Sequence, residues 1–387
     1  MRLPDLDRIL STMLNTYQGI SDLNFSVGHP LQVEDFGELK TVFVDPPIER
    51  LTPFQTEQIA LALMHGNRRL MREYLLTGSC DCSYALDDEA RFRVNIFRQQ
   101  GNFAIVMRKL QAVVPSIESI ELPDIFREIA KEKTGLVLVT GATGSGKTTT
   151  LAAILNEINA TQSVHVVTLE DPIEFIQPPG LATFNQRELG HDFDNYPNGL
   201  RAALRQAPKV IFVGEMRDRA TVEIALMAAE TGHLVFSTLH TVDAGQSINR
   251  ILGLFSLGEE QQLRVRLADT VRYIVSQRLA PKMGGGRHLL LEIMGNNLRI
   301  RETIALGESE ARNFYEIIEA SAPFGWQTFD QSILRAYETE AISEETARLF
   351  ASKRGRVTRG IDLLHKMRGH DSEDTGLRLE GSIATYR

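Results

Sequence analysis

Residues 136–148 read LVLVTGATGSGKT, an apolar, β-branched run leading into a glycine-rich loop that closes on lysine and threonine. No other stretch constrains the chain so tightly, because it calls for a strand before the loop, a helix after it and an anion on the loop itself. Gly141-Ala142-Thr143-Gly144-Ser145-Gly146-Lys147-Thr148 matches the pattern G-x-x-x-x-G-K-[ST] in full. In that pattern the glycines let backbone N–H groups turn inward onto phosphates, where side chains would obstruct them. Lys147 reaches the β- and γ-phosphate oxygens, and the Thr148 hydroxyl is placed to ligate Mg²⁺. The helix that follows, from Thr148 and Thr149 onward, adds its positive N-terminal end. The expected ligand is ATP with Mg²⁺, held by Gly141, Thr143, Gly144, Ser145, Gly146, Lys147, Thr148 and Thr149.

From Pro123 onward strand-like and helix-like patterns alternate, which implies a parallel sheet in an α/β fold. Strands are expected at 136–140, 164–169, 209–214 and 234–239. PKMGGGRHLLLEIM reads as a turn flanked by strands, with three glycines as punctuation. Residues 299 to about 365 return to helical spacing, and Ser343 is placed as an N-cap with Glu344 and Glu345 in the first turn. The region before Pro123 has a different texture. Leu3, Leu6, Leu10, Met13 and Tyr17 recur at helical spacing, and TPFQTEQIALALM begins a second helix with Thr52 as N-cap and Pro53 in the first turn. ARFRVNIFRQ and FAIVMRKL read as two strands joined by a turn at Gln100-Gly101-Asn102. The expected organisation is a small α+β N-terminal domain over 1–111, a linker over 112–123, an ATPase domain with C-terminal helices over 124–366, and a disordered tail over 367–387.

Composition sets limits on function. The chain has 387 residues, with 43% hydrophobic and 24% charged, as an ordinary globular protein does. Its apolar runs fall far short of the roughly 20 residues a membrane-spanning helix needs, and the N-terminus lacks a signal-peptide pattern, so a cytoplasmic location is expected. A net charge of −8 weighs against nucleic acid as a partner. Cys80 and Cys82, one residue apart, make a poor disulfide and too small a zinc site, and are read as reduced thiols.

Further chemistry-bearing residues sit at the ends of the expected strands. KVIFVGEMRD ends an apolar run at Gly214 and Glu215. The aspartate usual in P-loop enzymes is replaced by glycine, so Glu215 is the carboxylate available to hold Mg²⁺ through water or to polarise the attacking water. VTLEDPIEF places Glu170 and Asp171 at the C-terminal end of a parallel strand, where α/β sheets bind ligands. TGHLVFSTLHT is a strand with a histidine at each end, His233 and His240.

Those four stretches, in this order, resemble the Walker A, Asp box, Walker B and His box of the secretion-ATPase superfamily of type IV pili and type II and IV secretion. Within it, the chain is most similar to the PilT-type retraction ATPases, from ISDLNFSVGHPLQV to GWQTFDQSILRAYETEAISEETA. The resemblance implies a PAS-like N-terminal domain, a RecA-like ATPase domain and a homohexameric ring. It implies catalytic roles for Glu170 and Glu215, Glu215 also serving the metal, and a γ-phosphate contact for His240. It also implies arginines of the N-terminal domain acting on the phosphates as arginine fingers do, with Arg93, Arg98 and Arg108 as candidates. The alternative for each is a solvated charge at a strand edge.

The function this resemblance implies is a hexameric ATP-hydrolysing motor for type IV pilus retraction and twitching motility. Its implied partners are an inner-membrane platform protein, peripherally engaged, and other pilus ATPases. Assembly ATPases of the superfamily carry a four-cysteine zinc insert, which two cysteines before the loop cannot supply. Two departures stand out. Retraction ATPases carry A-I-R-N-L-I where this chain reads Arg299-Ile300-Arg301-Glu302-Thr303-Ile304, and S-D-L-H where it reads Ser21-Asp22-Leu23-Asn24. The first leaves open a divergent paralogue serving a secretion system.

Overall fold

The computed structural model describes residues 3–87, 89–110, 113–310 and 312–367. The expected disordered tail falls, beyond Met367, outside the described residues, as does the first residue of the expected linker.

Two sheets organise the chain. The first contains β1 (Ile20–Phe25), β2 (Gln32–Asp35), β3 (Glu38–Thr41), β4 (Ser79–Leu86), β5 (Ala90–Gln99) and β6 (Asn102–Lys109). All neighbours are antiparallel, in the order β3-β2-β1-β6-β5-β4. The anticipated hairpin is β5–β6, closing on Gln99 opposite Asn102. Its two loop residues, Gln100 and Gly101, both have positive φ (50° and 82°), the geometry whose twist matches a tight hairpin.

Around this sheet the helices follow their sequence signals. The helix Leu3–Thr16 buries Leu6, Leu10 and Met13 on one face. The helix Pro53–Met64 starts at Thr52, whose side chain accepts from the Gln55 N–H while Gln55 reaches back to the Thr52 N–H. This capping box satisfies two donors that a helix start leaves unpaired. A third helix, Arg68–Thr77, is capped by Asn67. Leu6, Leu10, Leu23, Phe25, Phe92, Val94 and Ile105 belong to one buried core, and each such side chain contributes about 1.5–3 kcal/mol by leaving water.

The second sheet contains β7 (Gly135–Gly141), β8 (His165–Glu170), β9 (Thr183–Glu188), β10 (Val210–Val213), β11 (Leu234–Leu239), β12 (Val271–Pro281) and β13 (Arg287–Gly295), in the order β13-β12-β7-β11-β10-β8-β9. β8, β9, β10 and β11 pair in parallel, whereas β12 and β13 form an antiparallel hairpin. β7, β10 and β11 are buried at every residue. Strands covered on both faces read as unbroken apolar runs, which is why these three are plain in the sequence.

By internal packing the chain falls into two compact units, residues 1–136 with 148–237 and residues 137–147 with 238–387. The first holds the antiparallel sheet together with β8, β9, β10 and the helices Tyr196–Ala203 and Arg219–Glu230. The second holds the glycine loop, the β12–β13 hairpin and the C-terminal helices, packed around Phe329, Ile333, Val357 and Ile361. Among the described residues no helix is long and apolar enough to cross a membrane.

Candidate functional site

The glycine loop leaves β7 at Gly141 and enters the helix Lys147–Thr161. Gly144 and Gly146 have φ of 77° and 90°, a region side chains disfavour, and a Cβ at either would meet nothing within 4 Å. Glycine there serves backbone conformation and leaves the space above the loop clear. Gly141 is held for a further reason, since a Cβ would lie 2.5 Å from Ser145 Oγ and 2.6 Å from the Gln277 carbonyl. Lys147 folds over the loop and donates to the carbonyls of Gly141 and Ala142, both at 3.0 Å. The Ser145 hydroxyl is buried without a hydrogen-bond partner. A buried donor of that kind is costly unless something completes it, and an anion seated in the loop would do so. Thr148 and Thr149 stand half-buried in the first turn of the helix. In the same unit as the loop, exposed His240 brings Nδ1 within 3.5 Å of Thr143 Oγ1. His233, at the other end of that strand, has Nδ1 3.0 Å from the Ala228 carbonyl and is accounted for structurally.

The carboxylates lie in the other unit. Glu170 ends β8, 6% exposed, and burial pushes its carboxyl up to about 7 although hydrogen bonds from Thr168 Oγ1 (2.6 Å) and Gln186 Nε2 (3.2 Å) favour the charged form. A carboxyl poised there can exchange a proton near neutral pH. Burial also raises Asp171, against the attraction of Arg93 and Arg217. Glu215 follows β10 and accepts from Arg217 Nε at 2.7 Å.

The arginines separate by environment. Arg93 is exposed on β5 directly opposite Arg108 on β6, and Arg108 Nε donates to Asp22 of β1 at 2.9 Å. Arg98 instead lies 5.3 Å from the centre of the Tyr74 ring, in a cation–π contact. Sequence reasoning passed over Arg91 and Glu188. Arg91 pairs with Glu188 at 3.5 Å and draws Glu170 toward its charged form. Glu188 ends β9 directly opposite Glu170. The sequence signal is the carboxylate of NQRE before Leu189-Gly190, but the polar run of β9 does not read as a strand.

A strand, glycine loop and helix of this form, in a parallel sheet with carboxylates at the strand ends, define a P-loop nucleotide hydrolase. The family model of the type II/IV secretion system proteins matches residues 82–319, and the chain belongs to that family. It is 39% identical over 332 residues to the type IV pilus retraction ATPase PilT of Pseudomonas aeruginosa, an alignment covering 86% of this chain and 94% of that protein. It is 43% identical over 269 residues to a twitching motility protein of Neisseria gonorrhoeae, covering 69% and 71%. Among solved structures, the pilus retraction motor PilT with bound ADP is similar at a TM-score of 0.82 and 39% identity, covering 92% of this chain and 99% of that one. The ATPase DotB of Legionella pneumophila is similar at 0.78 and 28% identity, covering 90% and 95%. The chain is an ATPase with an α+β N-terminal portion and an α/β ATPase portion, of the PilT type.

Proposed function

We propose that this chain is a homohexameric ATP-driven motor for type IV pilus retraction. The observation that carries the reading is the extent of its likeness to PilT, which takes in 94% of that protein's length and both sheets of the fold. In this reading the loop amides and Ser145 hold the phosphates, and Lys147 exchanges its loop carbonyls for phosphate oxygens. Glu170 orients the attacking water and takes its proton, and His240 reports on the γ-phosphate from beside Thr143. Arg93 and Arg108 stabilise charge on the transferring phosphoryl group, as cationic side chains do in phosphoryl transfer.

The residues present also fit Mg²⁺. Thr148 and Glu215 supply hard oxygen donors, and Arg217 fixes the orientation of the Glu215 carboxylate. Among the described residues there is no cluster of three or more His, Cys, Asp or Glu that could enclose an ion. An open site of this kind suits an ion that takes most of its ligands from water and phosphate. When bound, the ion supplies neutralising charge to the phosphate oxygens. The partners proposed are an inner-membrane platform protein and other pilus ATPases, engaged from the cytoplasmic side without nucleic acid.

A secretion-system role is the second reading. It is favoured by the segment that departs from A-I-R-N-L-I, where Glu302 pairs with Arg312 at 2.9 Å. Imaging of labelled pili in cells carrying Glu215→Gln separates the two. Pili that extend but do not shorten support the retraction motor. Pilus shortening at the normal rate overturns it and leaves the secretion reading.

A further inference from the structure

Glu188 closes β9 opposite Glu170 and is 5% exposed. Its carboxylate serves elements far apart in sequence. Oε1 accepts from the Ser83 hydroxyl on β4, with His191 Nε2 3.8 Å away. Oε2 accepts the Ile173 backbone N–H at 3.2 Å and faces Arg91 of β5 at 3.5 Å. Ile173 lies three residues beyond Glu170, so this hydrogen bond pins the acidic loop just past Asp171 and Pro172. Ser83 is the cross-strand partner of Arg93. One carboxylate therefore holds both the loop carrying Glu170 and Asp171 and the strand pair carrying Arg93.

The chemistry of this contact is more than packing needs. A buried carboxylate is costly unless its lone pairs are filled, and here hydroxyl, amide and guanidinium fill them. Arg91 reaches Glu188 through Nη2, and its Nη1 is buried without a hydrogen-bond partner, so Glu188 is the carboxylate that balances this guanidinium. Around Glu188 further ionisable groups are Glu170, Asp171, His191, Cys82 and Asp192, whose Oδ2 accepts the Glu188 N–H at 2.7 Å.

We infer that Glu188 is a positioning residue for hydrolysis, tying the acidic loop after β8 to the arginine-bearing strands β4 and β5 so that Glu170 and Arg93 keep a fixed spacing. The inference rests on the roles proposed above for Glu170 and Arg93. Misplacement of reacting groups by small distances lowers turnover steeply without weakening ground-state binding.

The test is steady-state ATPase of the full chain with MgATP, alongside thermal unfolding, for Glu188→Gln, Glu170→Gln and Glu188→Gln combined with Arg91→Gln. Glutamine keeps one acceptor oxygen for the Ile173 N–H, turns an N–H toward the Ser83 hydroxyl and loses the charge. Glu188→Gln is expected to lower kcat about tenfold or more while KM moves less than about threefold. The double variant should recover part of kcat, because it removes the unpaired guanidinium. A merely structural residue would lower Tm and leave kcat per folded molecule unchanged, and that result overturns the inference. Wild-type kcat in Glu188→Gln beside a dead Glu170→Gln also overturns it and leaves the role of Glu170 standing. Wild-type kcat in Glu170→Gln removes the reading on which the inference rests. Should Glu188→Gln fail to fold, Ser83→Ala deletes a single hydrogen bond. A fall in kcat of about threefold to tenfold is then expected, and none would refute the tie.

Discussion

Gly214 stands where P-loop enzymes usually hold an aspartate, and the structure supplies a steric reason. Its φ is not in the left-handed region, so backbone conformation does not demand glycine. Space does. A Cβ at 214 would lie 2.9 Å from Tyr196 Oη, 3.1 Å from the Leu169 carbonyl oxygen and 3.6 Å from Glu170 Cα. Neither near neighbour yields readily. The Leu169 carbonyl accepts the Gly214 N–H at 2.8 Å, and burial raises the pKa of the Tyr196 hydroxyl well above its ordinary value, keeping it neutral and enclosed. Gly214→Ala should therefore cost about 1–3 kcal/mol, the range for overpacking a filled interior. In a unit of this size that lowers Tm by roughly 2–12 °C. Tyr196→Phe deletes the nearer contact, so Gly214→Ala with Tyr196→Phe should recover about 1 kcal/mol relative to additivity. Calorimetric unfolding of the four proteins closes the cycle, and ATPase assays beside it report whether Glu215, the next residue, has been displaced. An unchanged Tm for Gly214→Ala, or strictly additive single variants, would refute the steric account.

Four further outcomes are expected. Lys147→Ala should abolish steady-state ATP hydrolysis, and turnover near the wild-type rate would remove the loop from the mechanism. kcat should rise with pH through about 7 as Glu170 loses its proton, and Glu170→Gln should abolish the activity that carries this limb. The same group contributes to stability with a definite sign. Its folded pKa lies above the ordinary glutamate value of 4.5, so the folded state holds a proton the unfolded chain has lost, and its contribution declines as pH rises from about 4.5 through about 7. Light scattering with nucleotide should give the mass of six chains, and a monomer at every concentration would sink the ring.

How legible the sequence was depended on burial. β7, β10 and β11 announce themselves because both faces are covered, and the loop at 141–148 because its chemistry tolerates little else. β4 was obscure because its buried face opens on Cys80 and Cys82, alternating with exposed Asp81. Burial holds those thiols protonated, with Cys80 pushed up to about 11 and Cys82 up to about 12. β1 hid for a related reason, since buried Asp22 interrupts its apolar face and only its pairing with Arg108 shows why. β9 carries Asn185, Gln186, Arg187 and Glu188 in succession, and His165 and Glu170 on the neighbouring strand and Asp192 in the following turn match them in ways that spacing cannot reveal. The same limit explains Glu188 and Arg91, whose importance lies in a contact between segments 97 residues apart.

The segment that departs from the retraction motif bears on function through which side of its helix has changed. Residues Leu298–Leu306 form a helix capped by Asn297, with Ile300, Thr303 and Ile304 buried. The two isoleucines shared with A-I-R-N-L-I keep their places on the packed face. Thr303, replacing leucine, remains buried by donating its hydroxyl to the Arg299 carbonyl at 2.8 Å. Glu302, replacing asparagine, faces outward and pairs with Arg312, beside Arg301 paired with Asp269. Exposed ion pairs contribute only about 0–1 kcal/mol, so folding is little affected by this exchange, and a charged surface has replaced a neutral amide. Glu302→Asn should accordingly leave Tm and the ATPase rate of the purified protein near wild type. If the segment meets a partner, the same substitution should change pilus shortening in cells while hydrolysis in solution stays constant. A fall in the purified ATPase rate would instead place the segment within the hydrolytic cycle.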